Sequence, residues 1–244
     1  MVFLENQSDV HYVMPVRVMN EEAAFYHKQW RQMAGKHKKA KDLRGMEYLS
    51  GFSKKDRLKP VITIVIYWGK TPWNGPRRLK EILDLDAYPL ELQPFIADYP
   101  IHLLEVRKFE KLENFTTDIR YVFGFLQREQ NKKSLAEYVE ANRESFRELS
   151  EEAYDLLTVQ SNTKELKRKK NEFETETGGY DMCKAIRDMV EDGRMEGRME
   201  GRDATLLLIT RMTADNRLED VPMLANDKVF LDEMLKKYMM DEKL

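Results

Sequence analysis

The sequence predicts a helix-rich α/β (α+β) chain whose small sheet lies in the N-terminal part and whose C-terminal half is helical. Three observations predict it. The run 61–67, Val-Ile-Thr-Ile-Val-Ile-Tyr, is β-branched and bounded by Pro60 and Gly69, as a buried strand is. Apolar residues recur at steps of three and four from Tyr12 through Val16, Met19, Ala23, Tyr26 and Trp30 to Met33, which is the period of an amphipathic helix. After Asn114 strand-like patterning disappears and helical stripes with capping signals replace it.

In chain order, residues 2–7 alternate as the end of a strand, and Pro15 suits the first turn of the helix that follows. That helix is expected to end or fray at Gly35 and the basic cluster 36–39, leaving a basic loop to Pro60. Strand 61–67 should be central and covered on both faces. Asn74-Gly75-Pro76 marks a turn, residues 78–85 a short helix and 101–106 another strand. Ile119, Val122, Phe123 and Leu126 form a helical stripe. Ser134 and Glu137 form a capping box opening a helix at 135–142, and Ser150 caps a third helix. Residues 164–170 and 172–179 are charged and poor in apolar side chains, and read as a linker or a solvated helical extension. The expected organisation is an α/β core at 1–113, a helical extension at 114–162, a charged linker at 163–180 and a helical tail at 181–244.

That tail opens with Gly193-Arg-Met-Glu, Gly197-Arg-Met-Glu and Gly201-Arg, a repeat of period four. Glycine inside a helix costs roughly 1 kcal/mol relative to alanine. The stretch is therefore either a marginal linker helix or a contact with another copy of the chain.

The 244 residues include 41 Lys and Arg against 43 Asp and Glu, a net charge of −2, and hydrophobic residues make up 42%, enough for a packed core. No apolar run approaches the ~20 residues of a membrane span. The N-terminus lacks the pattern of a secretory signal and the single Cys183 has no internal disulfide partner, so a cytoplasmic protein without membrane contact is expected. The charge is distributed unevenly. Residues 28–80 hold 15 Lys or Arg and 3 acidic residues, and such a basic surface attracts phosphate backbones. Lys28, Arg31, Lys36, Lys38, Lys39 and Lys41 are the candidate contacts to double-stranded DNA; a solvated surface carries the same kind of run.

Glu5 and Gln7 lie two apart at a strand end, so their side chains point to one side. A carboxylate ligates Mg2+, and an amide orients a phosphate or water. His11, His27, His37 and His102 have no zinc-site spacing, and neither a phosphate-cradling glycine motif nor a nucleophile elbow is present.

The run Leu4-Glu5-Asn6-Gln7-Ser8-Asp9-Val10-His11-Tyr12, Met14-Pro15-Val16-Arg17, Ser50-Gly51-Phe52-Ser53, 60–69, Trp73-Asn74-Gly75-Pro76-Arg77, 118–162, Asp181-Met-Cys-Lys-Ala-Ile186 and the Gly-Arg-Met-Glu repeat together resemble the Rpn family of recombination-promoting nucleases, also labelled YhgA-like transposases. The resemblance implies a PD-(D/E)xK-like fold, a small mixed sheet flanked by helices, and a Mg2+-dependent DNA endonuclease promoting recombination. It makes Glu5 the metal ligand, Gln7 the second catalytic position and Arg17 a phosphate contact. Members of the family carry a catalytic Asp on a strand upstream of the Glu-x-Gln, whereas only 1–4 precede Glu5 and none is acidic. The expectation is therefore an N-terminally truncated member with little or no metal binding. Three readings follow: a nuclease, a non-catalytic DNA-binding remnant, or a helical protein that self-associates through its C-terminal helices.

Overall fold

The computed structural model describes residues 1–161 and 163–239, which divide into two compact units. The first comprises 1–145 and 150–163, the second 146–149 and 164 onward. Among the described residues no helix is long and apolar enough to cross a membrane.

The first unit is built on three strands, β1 (Val2–Gln7), β2 (Ile62–Tyr67) and β3 (His102–Glu105), in the order β1-β2-β3. All pairs are parallel, so the sheet is not the mixed one expected. The reason lies in the connections: α1 (Met14–Ala40) and the following loop return the chain to the starting end of the sheet before β2, and a long loop does the same before β3. β2 is central, as its β-branched run requires, with Glu5 beside Val65 and Gln7 beside Tyr67.

β2 is not covered on both faces. Its burial alternates, with Thr63, Val65 and Tyr67 inside while Ile62 is 44% exposed. The inner face packs on α1, where Met14, Val18, Val65, Tyr67, Trp73 and Ile101 form a core, and Phe3 stacks on Phe25 at 4.1 Å. On the other face Val2 and Leu4 are exposed.

α1 departs from expectation twice. Its buried line is Met14, Val18 and Glu22 rather than the stripe from Tyr12 to Met33, of which Tyr12, Ala23 and Trp30 are exposed. The narrow sheet covers only part of the helix, and the side that meets it includes a carboxylate. α1 also runs through Gly35 and the lysines to Ala40, where Lys41 takes a left-handed conformation and donates its amide to the His37 carbonyl. Three basic residues in the last turn suit the negative end of the helix dipole. The basic segment is therefore helix to Ala40, followed by the short α2 (Gly45–Ser50).

The helices of the extension are α3 (Ile119–Arg128), α4 (Lys132–Ala141), the single turn α5 (Arg143–Phe146) and α6 (Glu151–Gln160). α4 starts earlier than the Ser134 capping box suggests, because the Asn131 side chain accepts from the Ser134 amide at 3.1 Å and caps the helix three residues upstream. Arg107, just after β3, donates to the Gly69 carbonyl at 3.0 Å, to Glu129 at 3.1 Å and to the Leu126 carbonyl. Core and extension thus share one unit, with no boundary at 113.

In the second unit the expected linker is structured: α7 (Lys164–Arg168) buries Leu166, and Phe173 and Tyr180 are also buried. Tyr180 pairs with Leu149 through two backbone hydrogen bonds of 2.8 and 3.2 Å. α8 (Met182–Ala214) is one continuous helix carrying the whole repeat, capped by Asp181, which accepts from the Lys184 amide. Its start is fixed by buried Met182 and Ala185, and its end packs Leu208 and Met212 against Leu224 of α9 (Met223–Asn226) and Met234 of α10 (Lys228–Met239).

Candidate functional site

Three of the residues singled out in the sequence meet at the end of β1. Phe3, Glu5 and Gln7 share the face turned toward α1 because the strand period is two. The Gln7 amide donates to Glu5 Oε1 at 2.7 Å, and Arg17 Nη2 lies 2.5 Å from the same oxygen. Arg17 Nε reaches Glu21 Oε1 at 3.4 Å, one helical turn on. Glu5 and Glu21 line a cavity of about 230 Å3 with Phe3, Leu4, Phe25 and Thr63.

This donor set does not fit a divalent cation as it stands. Mg2+ is held by one or two hard carboxylates with waters, and here the Glu5 oxygen already carries an amide and a guanidinium, while Glu21 faces the same guanidinium. Among the described residues no group of three or more His, Cys, Asp or Glu is disposed to hold a metal.

The basic candidates lie along α1. A step of eleven residues is close to three helical turns, so Arg17, Lys28 and Lys39 fall on one line, about 16 Å apart. Arg31, Lys36 and Lys38 flank that line. All five lysines and arginines from Lys28 to Lys39 are exposed, as is Lys41, and among the described residues none of the six has a carboxylate partner. Beyond the helix end a cavity of about 520 Å3 is lined by His37, Lys38, Lys41, Arg44 and Tyr48. Met46 and Leu49 on α2 are 87% and 84% exposed.

The chain matches no family model, no curated protein and no solved structure.

Sequence reasoning missed three polar centres that shape this region. Glu22, buried in the core, accepts the Thr63 amide at 2.8 Å with Oε1 and the Tyr99 hydroxyl with Oε2. β3 pairs with β2 only from Ile64 onward, so this carboxylate completes the ladder where the strand is absent. Burial first, then the hydrogen bond to Glu22, pushes the Tyr99 phenol far above its ordinary value. Glu105 accepts from the Trp73 amide at 2.9 Å and pairs with Arg77 at 2.7 Å and Lys108 at 3.0 Å. Burial raises its pKa, and these donors outweigh burial and hold it below the ordinary carboxylate range.

His37 is the third. Its Nδ1 lies 2.8 Å from Asp42 and its Nε2 2.8 Å from Asp56, and the two carboxylates raise the imidazole above 6.5. Asp56 also accepts from the Ser53 amide at 2.7 Å, which is the largest cause of its lowered pKa. The imidazole, bridging the two carboxylates, thus fastens the loop after α1 to the end of that helix. Little in the sequence signals these centres beyond residue type, since apart from Lys108 and Asp42 their partners lie in other segments.

Proposed function

We propose that α1 is a DNA-contacting helix and that Glu5, Gln7 and Arg17 are the remnant of a Mg2+-dependent nuclease site that no longer cuts. One observation carries the reading: from Lys28 to Lys41 six exposed cations without carboxylate partners, among the described residues, project from a single helix and its cap. Unpaired cations along one rod release counterions when they meet a phosphate backbone, and that release drives non-specific binding. The line they form starts at Arg17, so a backbone lying along it passes Glu5. The Glu5 carboxylate is neutralised by Arg17, and no hydrolytic step through a metal follows from these residues.

The test is fluorescence anisotropy of a labelled duplex titrated with the full chain at several salt concentrations, beside nicking of supercoiled plasmid with Mg2+ or Mn2+. Weak, sequence-independent binding that falls steeply with salt is expected, with no nicking. Affinity that ignores salt removes the DNA reading, and cleavage abolished by Glu5→Ala removes the claim that the site is inactive.

A further inference from the structure

Between its two packed ends, α8 crosses open space. Every residue from 193 to 203 is exposed, and a Cβ added at Gly193, Gly197 or Gly201 would meet nothing within 4 Å. Met195, Met199 and Leu206 are 54%, 55% and 57% exposed. At about 100° per residue these three fall within roughly 40° of one another, so the bare helix shows one apolar line to solvent. Arg194, Arg198 and Arg202 lie on one side of that line, and Glu196, Glu200 and Asp203 on the other. The glycines point roughly opposite.

Charge decides what fits this line. A period of four stacks like on like: the neighbours of Arg198 at three and four residues are Arg194, Met195, Gly201 and Arg202. Those of Glu196 and Glu200 are likewise uncharged or acidic. Such pairs oppose the helix that carries them, and among the described residues Arg194, Arg198, Glu196 and Glu200 make no ion pair. The missing counter-charges are arranged as in the repeat itself. When two parallel helices meet about a two-fold axis along their length, the left flank of one faces the right flank of the other. Two copies of this helix then set arginines against acidic residues on both sides of a methionine seam. An antiparallel pair sets arginine against arginine.

We propose that α8 is a self-association surface, and that two copies of the chain pair in parallel along Met195, Met199 and Leu206 with Arg194 and Arg198 facing Glu196 and Glu200 of the second copy. Residues four apart form ridges that pack at a steep crossing of about 50°, so the contact is confined to a few turns. The buried area then falls below the ~1,200 Å2 of a standard interface, and the dimer is a weak, reversible one in the micromolar range. This inference is independent of the DNA reading, because its readout is the oligomeric state without nucleic acid.

Sedimentation velocity of the full chain from about 5 to 200 μM tests it. A concentration-dependent monomer–dimer equilibrium weakened by salt is expected. Met195→Glu with Met199→Glu should lower the association constant about 100-fold, since like charges then meet in the seam, while circular dichroism stays that of the folded monomer. Gly193→Ala, Gly197→Ala and Gly201→Ala together should leave dimerisation intact or strengthen it, because they face away and favour the helix. Leu206→Cys in a Cys183→Ser background should be joined to its own copy by a bis-maleimide linker spanning about 10 Å, as at this crossing only a parallel pair keeps residue 206 within that reach. A chain that stays monomeric at every concentration, the outcome if a lipid surface or another protein covers the line, overturns the proposal. Association that survives the two glutamates, is lost in the alanine variant, or fails to cross-link at 206 overturns it as well.

Discussion

Arg17 holds Glu5 at 2.5 Å, tying the end of β1 to the first turns of α1 through one guanidinium. The same oxygen of Glu5 accepts from Gln7, and Arg17 also touches Glu21, so the four side chains form one polar network beside the cavity. Each member's worth depends on the others, which double-mutant cycles measure.

For this network the expected outcome is modest and non-additive. Arg17 is 41% exposed and solvent screens it, so Arg17→Met should cost no more than about 1 kcal/mol. Glu5→Gln in the same chain should recover part of that loss, because the carboxylate then no longer needs a counter-charge. Urea denaturation of the two single variants and the double variant checks it; strict additivity would show that the contact contributes nothing.

Glu22 should be far more sensitive. Glu22→Ala leaves the Thr63 amide and the Tyr99 hydroxyl without their acceptor inside the core, at roughly 3 kcal/mol or more. Glu22→Gln keeps one acceptor oxygen for Thr63 and should cost less than Glu22→Ala. Equal midpoints for the two variants in denaturant would contradict the ladder role.

The loop clasp at His37 should respond to pH. Its folded pKa is raised above 6.5, so its contribution is fully present below pH 6.5 and is lost as pH rises through the elevated value. Asp56 is depressed below 3.8, so its contribution is present above that pH and disappears on acidification through the lower value. The clasp should be tightest between these limits. The protection factor of the Ser53 amide, the intrinsic base-catalysed exchange rate divided by the observed one, should be highest there and fall toward alkaline pH, and His37→Gln should abolish that fall.

Reversing Lys36, Lys38, Lys39 and Lys41 to Glu should flatten the salt dependence of duplex binding. Each phosphate contact contributes a slope of about −0.9 in log K against log salt, so loss of three or four contacts reduces the slope by roughly 3. The reduction should be the same for unrelated DNA sequences. Binding curves at four salt concentrations measure it.

The three strands, the amphipathic α1 and the helical C-terminal half were legible because each rests on a local period, and the β-branched run of β2 needs no partner to be recognised. What failed was long-range. Leu166, Phe173 and Tyr180 anchor the segment read as a linker, yet one apolar side chain every seven residues among charged neighbours is too sparse to mark an apolar face. The buried line of α1 was displaced because Glu22 interrupts the apolar pattern, and only β2, forty-one residues away, gives that carboxylate an amide to accept. Spacing placed Glu5 and Gln7 on one side of a strand. That Arg17 closes on them depends on the angle at which α1 leaves β1, which no local pattern encodes.

Glu22 has a further consequence, for how the sheet finds its alignment. A strand that slides by one residue exchanges its inner and outer side chains, and the exposed Val2, Leu4 and Ile62 show that hydrophobicity alone discriminates weakly between the faces here. A slipped β2 would point a different amide at the helix and strand a buried carboxylate without its donor, a fault far costlier than an exposed valine. The carboxylate therefore acts as a peg in a hole: β2 docks on α1 in the one alignment that gives Glu22 the Thr63 amide.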